Sequence, residues 1–151
     1  MLSKSSSNWV AKLNLNIQCA DGHSRLINPS HSGPLRVQKP FYPEGRSLAH
    51  VYIVHPPGGV VGGDQLYIEM LVSKNAKGLV TTPGATKIYR SESKKMIVKQ
   101  TMTLEEQATF EWLPQETIIF DGASVDSTTK VNFCLLYTSP SPRDLSTSRM
   151  P

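Results

Sequence analysis

The stretch Val51-Tyr52-Ile53-Val54-His55-Pro56-Pro57-Gly58-Gly59-Val60-Val61-Gly62-Gly63-Asp64-Gln65-Leu66-Tyr67-Ile68-Glu69-Met70-Leu71-Val72 decides the fold. Residues 48–55 read as a strand apolar on both faces, as a buried strand is. Leu66, Ile68, Met70 and Val72 alternate with Gln65, Glu69 and Ser73 in the period of two that a second strand requires. Between them stand Pro56, Pro57, Gly58, Gly59, Gly62 and Gly63. The prolines fix φ and remove two backbone donors, while the glycines permit positive φ and close backbone approach. The result is a shaped loop joining two strands, and it ends on the carboxylate of Asp64.

Toward the N-terminus, Trp9, Ala11, Leu13, Leu15 and Ile17 alternate with Lys12, Asn14, Asn16 and Gln18, which predicts a strand with one apolar face. Asp21-Gly22 supplies a turn, and residues 24–28 return as a hairpin partner. Pro34 and Pro40 exclude helix from the Pro- and Gly-rich region 29–45 and leave a short extended piece over 35–38. Toward the C-terminus, 75–78 reads as a turn, 79–82 as a short strand broken by Pro83-Gly84, and Met96, Val98 and Met102 as a further strand after the charged turn 92–95. Ala108, Phe110 and Trp112 alternate with Thr109, Glu111 and Leu113 before Pro114-Gln115 interrupts, and 117–120 follows as another strand. Short strands recurring about every ten residues, with no helical stripe, predict an all-β or nearly all-β body.

Composition narrows the function. The chain of 151 residues carries 38% apolar and 19% charged residues, enough for one domain with a modest core. Its net charge of +4 comes from scattered lysines and arginines with no basic run interleaved with aromatics, which argues against nucleic-acid binding. No secretory apolar core and no membrane-length apolar run occurs, so the chain reads as cytosolic and membrane-free. Cys19 and Cys134 lie far apart and make no metal or redox spacing. The glycine loop fails as a phosphate cradle, because Asp64 stands where a Walker loop needs lysine and no G-x-G-x-x-G fits.

Four further stretches complete a pattern with the glycine loop: Gly33-Pro34-Leu35-Arg36-Val37-Gln38, Phe41-Tyr42-Pro43-Glu44-Gly45, Thr81-Thr82-Pro83-Gly84-Ala85-Thr86-Lys87-Ile88-Tyr89-Arg90-Ser91 and Glu111-Trp112-Leu113-Pro114-Gln115-Glu116-Thr117-Ile118-Ile119-Phe120-Asp121-Gly122-Ala123. In this order they resemble the urease accessory protein UreD family, called UreH in some bacteria, over roughly the N-terminal half of what that family has. The resemblance implies a truncated, β-helix-like stack of sheets built from short strands. It also implies a non-enzymatic scaffold with no tightly bound cofactor, which binds apo-urease and, through UreF, the GTPase UreG. A nickel ion would be carried transiently.

Several side chains could serve such chemistry. His55 and Asp64, brought together by the loop, would offer a nitrogen and an oxygen to a borderline ion such as nickel. The plainer readings are a histidine packed at a strand end and an aspartate capping the glycine turn. His50 is too far along the strand, and on the wrong face, to share an ion with His55. Lys87, Tyr89 and Arg90 would form either a cationic partner-facing edge or a solvated turn. Glu111 and Glu116 bracket Trp112-Leu113-Pro114, either as partner or paired-carboxylate contacts or as solvated neighbours of an aromatic core anchor. No Ser-His-Asp or Cys-His arrangement is present. The competing functional class is a β-rich enzyme in which Gly58 to Asp64 cradles an anion or oxyanion, with Lys87 or His55 as the acid–base group.

The ends read differently from the body. Residues 1–8 are Ser-rich and expected to be disordered, and 9–133 form the UreD-like β-rich region as an incomplete domain. Residues 134–144 spell the translation of a transposase-type sequencing adapter, so 134–151 is expected to be an artefact of a truncated transcript. A genuine Ser/Pro-rich tail is the alternative.

Overall fold

The structure, a computed structural model, describes residues 8–134. The disordered start expected over 1–8 and the adapter-like tail expected over 134–151 lie outside the described residues, apart from Asn8 and Cys134. Within them the chain is all-β. It opens with β1 (Val10–Ala20), β2 (His23–Leu26), β3 (Ser30–Ser32) and β4 (Arg36–Val37). It then winds three times through three strands. The first winding is β5 (Ala49–Val54), β6 (Gly59–Val60) and β7 (Gln65–Val72). The second is β8 (Lys77–Thr81), β9 (Thr86–Ile88) and β10 (Met96–Leu104), and the third is β11 (Thr109–Leu113), β12 (Thr117–Ile119) and β13 (Val125–Phe133).

Corresponding strands of successive windings pair in parallel, β5 with β8 and β8 with β11, β6 with β9 and β9 with β12, and β7 with β10 and β10 with β13. Three sheets therefore stack around a common interior, the arrangement expected from the resemblance. Gln65 lies opposite Ile97 and Lys77 opposite Thr109 at the same sequence offset, so the two turns 73–76 and 105–108 are copies of each other. Both place a non-glycine residue in the left-handed region, Asn75 at φ 62° and Gln107 at φ 58°. The corner that leads from the smallest sheet to the largest is less regular, spanning 61–64, 89–95 and 120–124 in the three windings.

The N-terminal strands close one end. β1 lies parallel to β7, β2 and β3 run antiparallel to β1, and β4 runs antiparallel to β5. The Asp21-Gly22 hairpin forms as read, with both residues at positive φ, 51° and 70°. The alternation predicted for β1 and β7 is the burial pattern observed. Ala11, Leu13, Leu15 and Ile17 face Leu66, Ile68, Met70 and Val72 in register, and all are buried. Because parallel pairing aligns like positions, each becomes the top of an interior ladder. Leu15, Met70 and Met102 form one such ladder, and Leu13, Ile68, Gln100 and Thr129 another that turns polar along the stack.

Three local readings need correction. The strand at 49–54 is not apolar and buried on both faces: Ala49, Val51 and Ile53 are buried, whereas His50, Tyr52 and Val54 are half-buried on the outer side. Phe41 covers that side, bridging to His50 and meeting the Tyr52 ring edge-on at 5.7 Å. The turn expected over 75–78 ends earlier, and β8 begins at Lys77. Gly78 is a strand residue that is glycine because the Ile17 side chain occupies the place of a Cβ. Lys87 is likewise a strand residue of β9, paired with Gly59 and Ile118, and not part of a solvated turn.

The third winding has no neighbour below it among the described residues. β13 pairs only with β10, and Leu113, Ile119 and Phe133 are exposed where the same positions one winding earlier are better covered.

Candidate functional site

The glycine loop occupies the corner between β5 and β7 and contributes β6 to the smallest sheet. Its four glycines answer two different demands. Gly58 and Gly63 sit at φ +73° and +92°, where side chains are strained. Gly59 and Gly62 are glycines for space: a Cβ on Gly59 would strike the Tyr89 ring, and one on Gly62 would strike Ser91 and crowd the Lys94 carbonyl. The amide of Gly58 donates to the His55 carbonyl at 2.9 Å, closing the Pro56-Pro57 turn.

Asp64 is 8% exposed and acts within the corner. Its two carboxylate oxygens accept from the amides of Trp9 and Val61, each at 3.1 Å, and its own amide donates to the Val61 carbonyl at 3.1 Å. The carboxylate therefore fastens the loop to the entry of β1. This is the turn-capping geometry, extended by one long-range bond to a residue that the sequence gives no reason to place there.

Behind the corner lies a cavity of about 270 Å3 between the three sheets. His55 lines it, together with Ile53, Leu66, Ile68, Ile88, Val98 and Trp112. Burial pushes the His55 imidazole below its ordinary range, partly opposed by the negative charge of Asp64. The two residues are thus in electrostatic reach, although no hydrogen bond or ion pair joins their side chains. Gln100 also lines the cavity, and its Oε1 is buried with no hydrogen-bond partner among the described residues. Sequence reading missed Gln100; its signal is a polar residue at the β10 position that pairs with the core residue Ile68.

The remaining candidates separate. Lys87 and Tyr89 are exposed on the outer side, while Ile88 between them points inward. The Arg90 stem lies along Gly122. Glu111 and Glu116 are exposed and neither lines the cavity, whereas Trp112 between them does. That is the aromatic-anchor arrangement with solvated acids. His50 contacts Glu44 at 3.3 Å, away from the loop. Pro57 and Pro56 shape the turn and carry no polar contact of their own. Lys87 and His55 stand on opposite sides of the wall, and the amides of Gly58, Val61 and Asp64 are bonded within the corner, so these three do not offer donors to an oxyanion beside either acid–base candidate. Among the described residues no three His, Cys, Asp or Glu side chains converge, and no helix is long and apolar enough to cross a membrane.

Comparison with known proteins fits this architecture. Residues 10–134 match the family described as UreD urease accessory protein. The chain is 50% identical over 128 residues to the urease accessory protein UreD of Alcanivorax borkumensis, covering 82% of this chain and 43% of that protein. It is 48% identical over 131 residues to the UreD of Vibrio parahaemolyticus (87% and 46%) and 45% identical over 134 residues to that of Klebsiella aerogenes (89% and 49%). The chain spans somewhat less than half the length of these relatives. The match begins at the first residue of β1 and runs through all three windings to Cys134, whose amide still bonds to the Leu104 carbonyl at 2.8 Å. The chain belongs to the UreD urease accessory protein family.

Proposed function

We propose that this region works within a urease maturation factor that carries no catalytic site of its own, holds apo-urease and, through UreF, the GTPase UreG, and lets nickel ions pass through its interior. Family membership supports the link to urease. The observation that carries the interior route is the cavity lying between the three sheets, with His55 at its wall and the unpartnered Gln100 oxygen inside. A neutral imidazole and an amide oxygen are the nitrogen and oxygen donors that a borderline divalent ion exchanges between, and burial favours the neutral form of His55. Apolar walls from Leu66, Ile68 and Val98 would offer the ion no place to lodge. Asp64 serves this route as a positioning residue, holding the corner that carries His55.

Val98→Trp in a full-length protein carrying this sequence would fill the cavity without touching the outer surface. The expected result is several-fold less nickel per urease active site, with binding to UreF and UreG retained. Normal nickel loading with the cavity filled would overturn the interior route.

A further inference from the structure

The outer side of the smallest sheet carries a row that the interior route does not use. Backbone bonds from the Tyr89 amide to the Val60 carbonyl and from the Phe120 amide to the Ile88 carbonyl, each 3.0 Å, place Val61, Tyr89 and Phe120 at equivalent positions of successive windings. All three are exposed, at 51%, 40% and 43%, and the Tyr89 and Phe120 rings stack at 5.2 Å with only 14° between their planes. Ile118, also exposed, stands beside them. The row is preformed. Gly59 has no side chain because the Tyr89 ring lies over it, and that fixes the ring against the sheet.

Two cations border the row, Lys87 on β9 and Arg90 just beyond it, and neither makes an ion pair with any described residue. Exposed aromatics in a fixed stack beside unpaired cations complement apolar side chains flanked by carboxylates. Two cations are too few to follow a nucleic-acid backbone.

We propose that this outer face docks an extended, acidic peptide segment of a protein partner, its apolar side chains lying on Val61, Tyr89 and Phe120 and its carboxylates reaching Lys87 and Arg90. The proposal deepens the reading of the chain as a partner-holding scaffold and rests on it only for the partner's identity. A fluorescein-labelled probe peptide alternating Asp and Glu with Leu and Phe should bind a full-length protein carrying this sequence by fluorescence polarisation. The same peptide with lysine at each acidic position should not.

Added salt should weaken acidic-peptide binding to the parent, and the double variant Lys87→Glu/Arg90→Glu, altered only at exposed positions, should weaken it at least tenfold at low salt and abolish that salt-induced weakening. Tyr89→Ser should also weaken binding while keeping the salt dependence of the parent. Equal binding of the acidic and basic peptides, no binding of either, or unchanged affinity in both variants would overturn the proposal. Urease activation by a full-length version separates the two readings. Peptide binding lost with activation intact leaves the docking face standing and removes its assignment to urease maturation. Nickel loading that depends on the cavity while no variant alters peptide binding leaves the maturation role and sinks the docking face.

Discussion

Replacing Asp64 with alanine should cost this fold a large share of its stability, because the carboxylate satisfies two amides that have no alternative acceptor in view. The amides of Trp9 and Val61 each donate to it at 3.1 Å, in a corner where Asp64 itself is 8% exposed. A hydrogen bond to a charged acceptor contributes about 1.5–3 kcal/mol, and partial access of water to the freed amides brings the estimate toward the lower end. The two together give about 3–4 kcal/mol, against a typical domain stability of about 5–15 kcal/mol. Asp64→Asn keeps one acceptor oxygen and turns a donor toward the second amide, so it should lie between the parent and Asp64→Ala. Urea unfolding at low protein concentration, followed by the fluorescence of Trp9 and Trp112, measures the loss. Hydrogen exchange assigns it, since the Trp9 and Val61 amides should lose protection before the β7 and β10 ladders do. If Asp64→Ala stays within about 0.5 kcal/mol of the parent and both amides keep their protection, the carboxylate does not hold the corner.

Gly59→Ala should displace the Tyr89 ring from Phe120 and cost about 0.5–1.5 kcal/mol of aromatic pairing, visible in near-ultraviolet circular dichroism; an unchanged spectrum would contradict the packing. Stability should fall on acidification. The His55 imidazole is held below its ordinary value by burial, so its contribution is whole above about pH 6.5 and declines as pH drops through the folded-state value, where the unfolded chain binds the extra proton. His23 acts in the same direction, through desolvation and then the charges of Arg25 and Arg46, so His55→Asn should remove only part of the slope; a urea midpoint that is flat or rises from pH 7 to 5 would refute this. Leu113, Ile119 and Phe133 at the open end should make the isolated chain bind hydrophobic dyes and associate with rising concentration, and Leu113→Lys with Phe133→Ser should reduce both; a parent that stays monomeric by light scattering would count against it.

Much of the fold was legible because β1 and β7 bury one face and expose the other, so Ala11 to Ile17 and Leu66 to Val72 declare their strands by alternation alone. The interior of a three-sided stack weakens that signal further along. In β13, Val125, Ser127, Thr129 and Val131 occupy the inward register but two of them are polar, so no apolar alternation marks the strand. β6 and β9 are too short for any period to show, and Gly59-Val60 looked like loop because its glycine is set by Tyr89 and not by a turn. Of the site, the nearness of His55 to Asp64 followed from the loop's length. Asp64's bond to Trp9 did not, since it joins residues 55 positions apart through the parallel pairing of β1 with β7. Gln100 was invisible for the same reason: only the register shows that it shares a ladder with Leu13 and Ile68.

The unequal corners have a consequence for how such a chain can change. The turn 73–76 and its copy 105–108 keep one length, and each is tied to the other by the Asn75 amide on the Glu106 carbonyl, the Thr109 amide on the Ala76 carbonyl and the Lys74 ion pair with Glu106 at 2.9 Å. An insertion there would slide β8 against β11 and turn every inward residue of one strand outward. The opposite corner already differs in length among the three windings while β7, β10 and β13 stay in register. Length can therefore be added or removed along 89–95 without disturbing the ladders on either side. In a lineage of such proteins, insertions and deletions should gather away from the edge at 73–76 and 105–108, which should stay fixed in length.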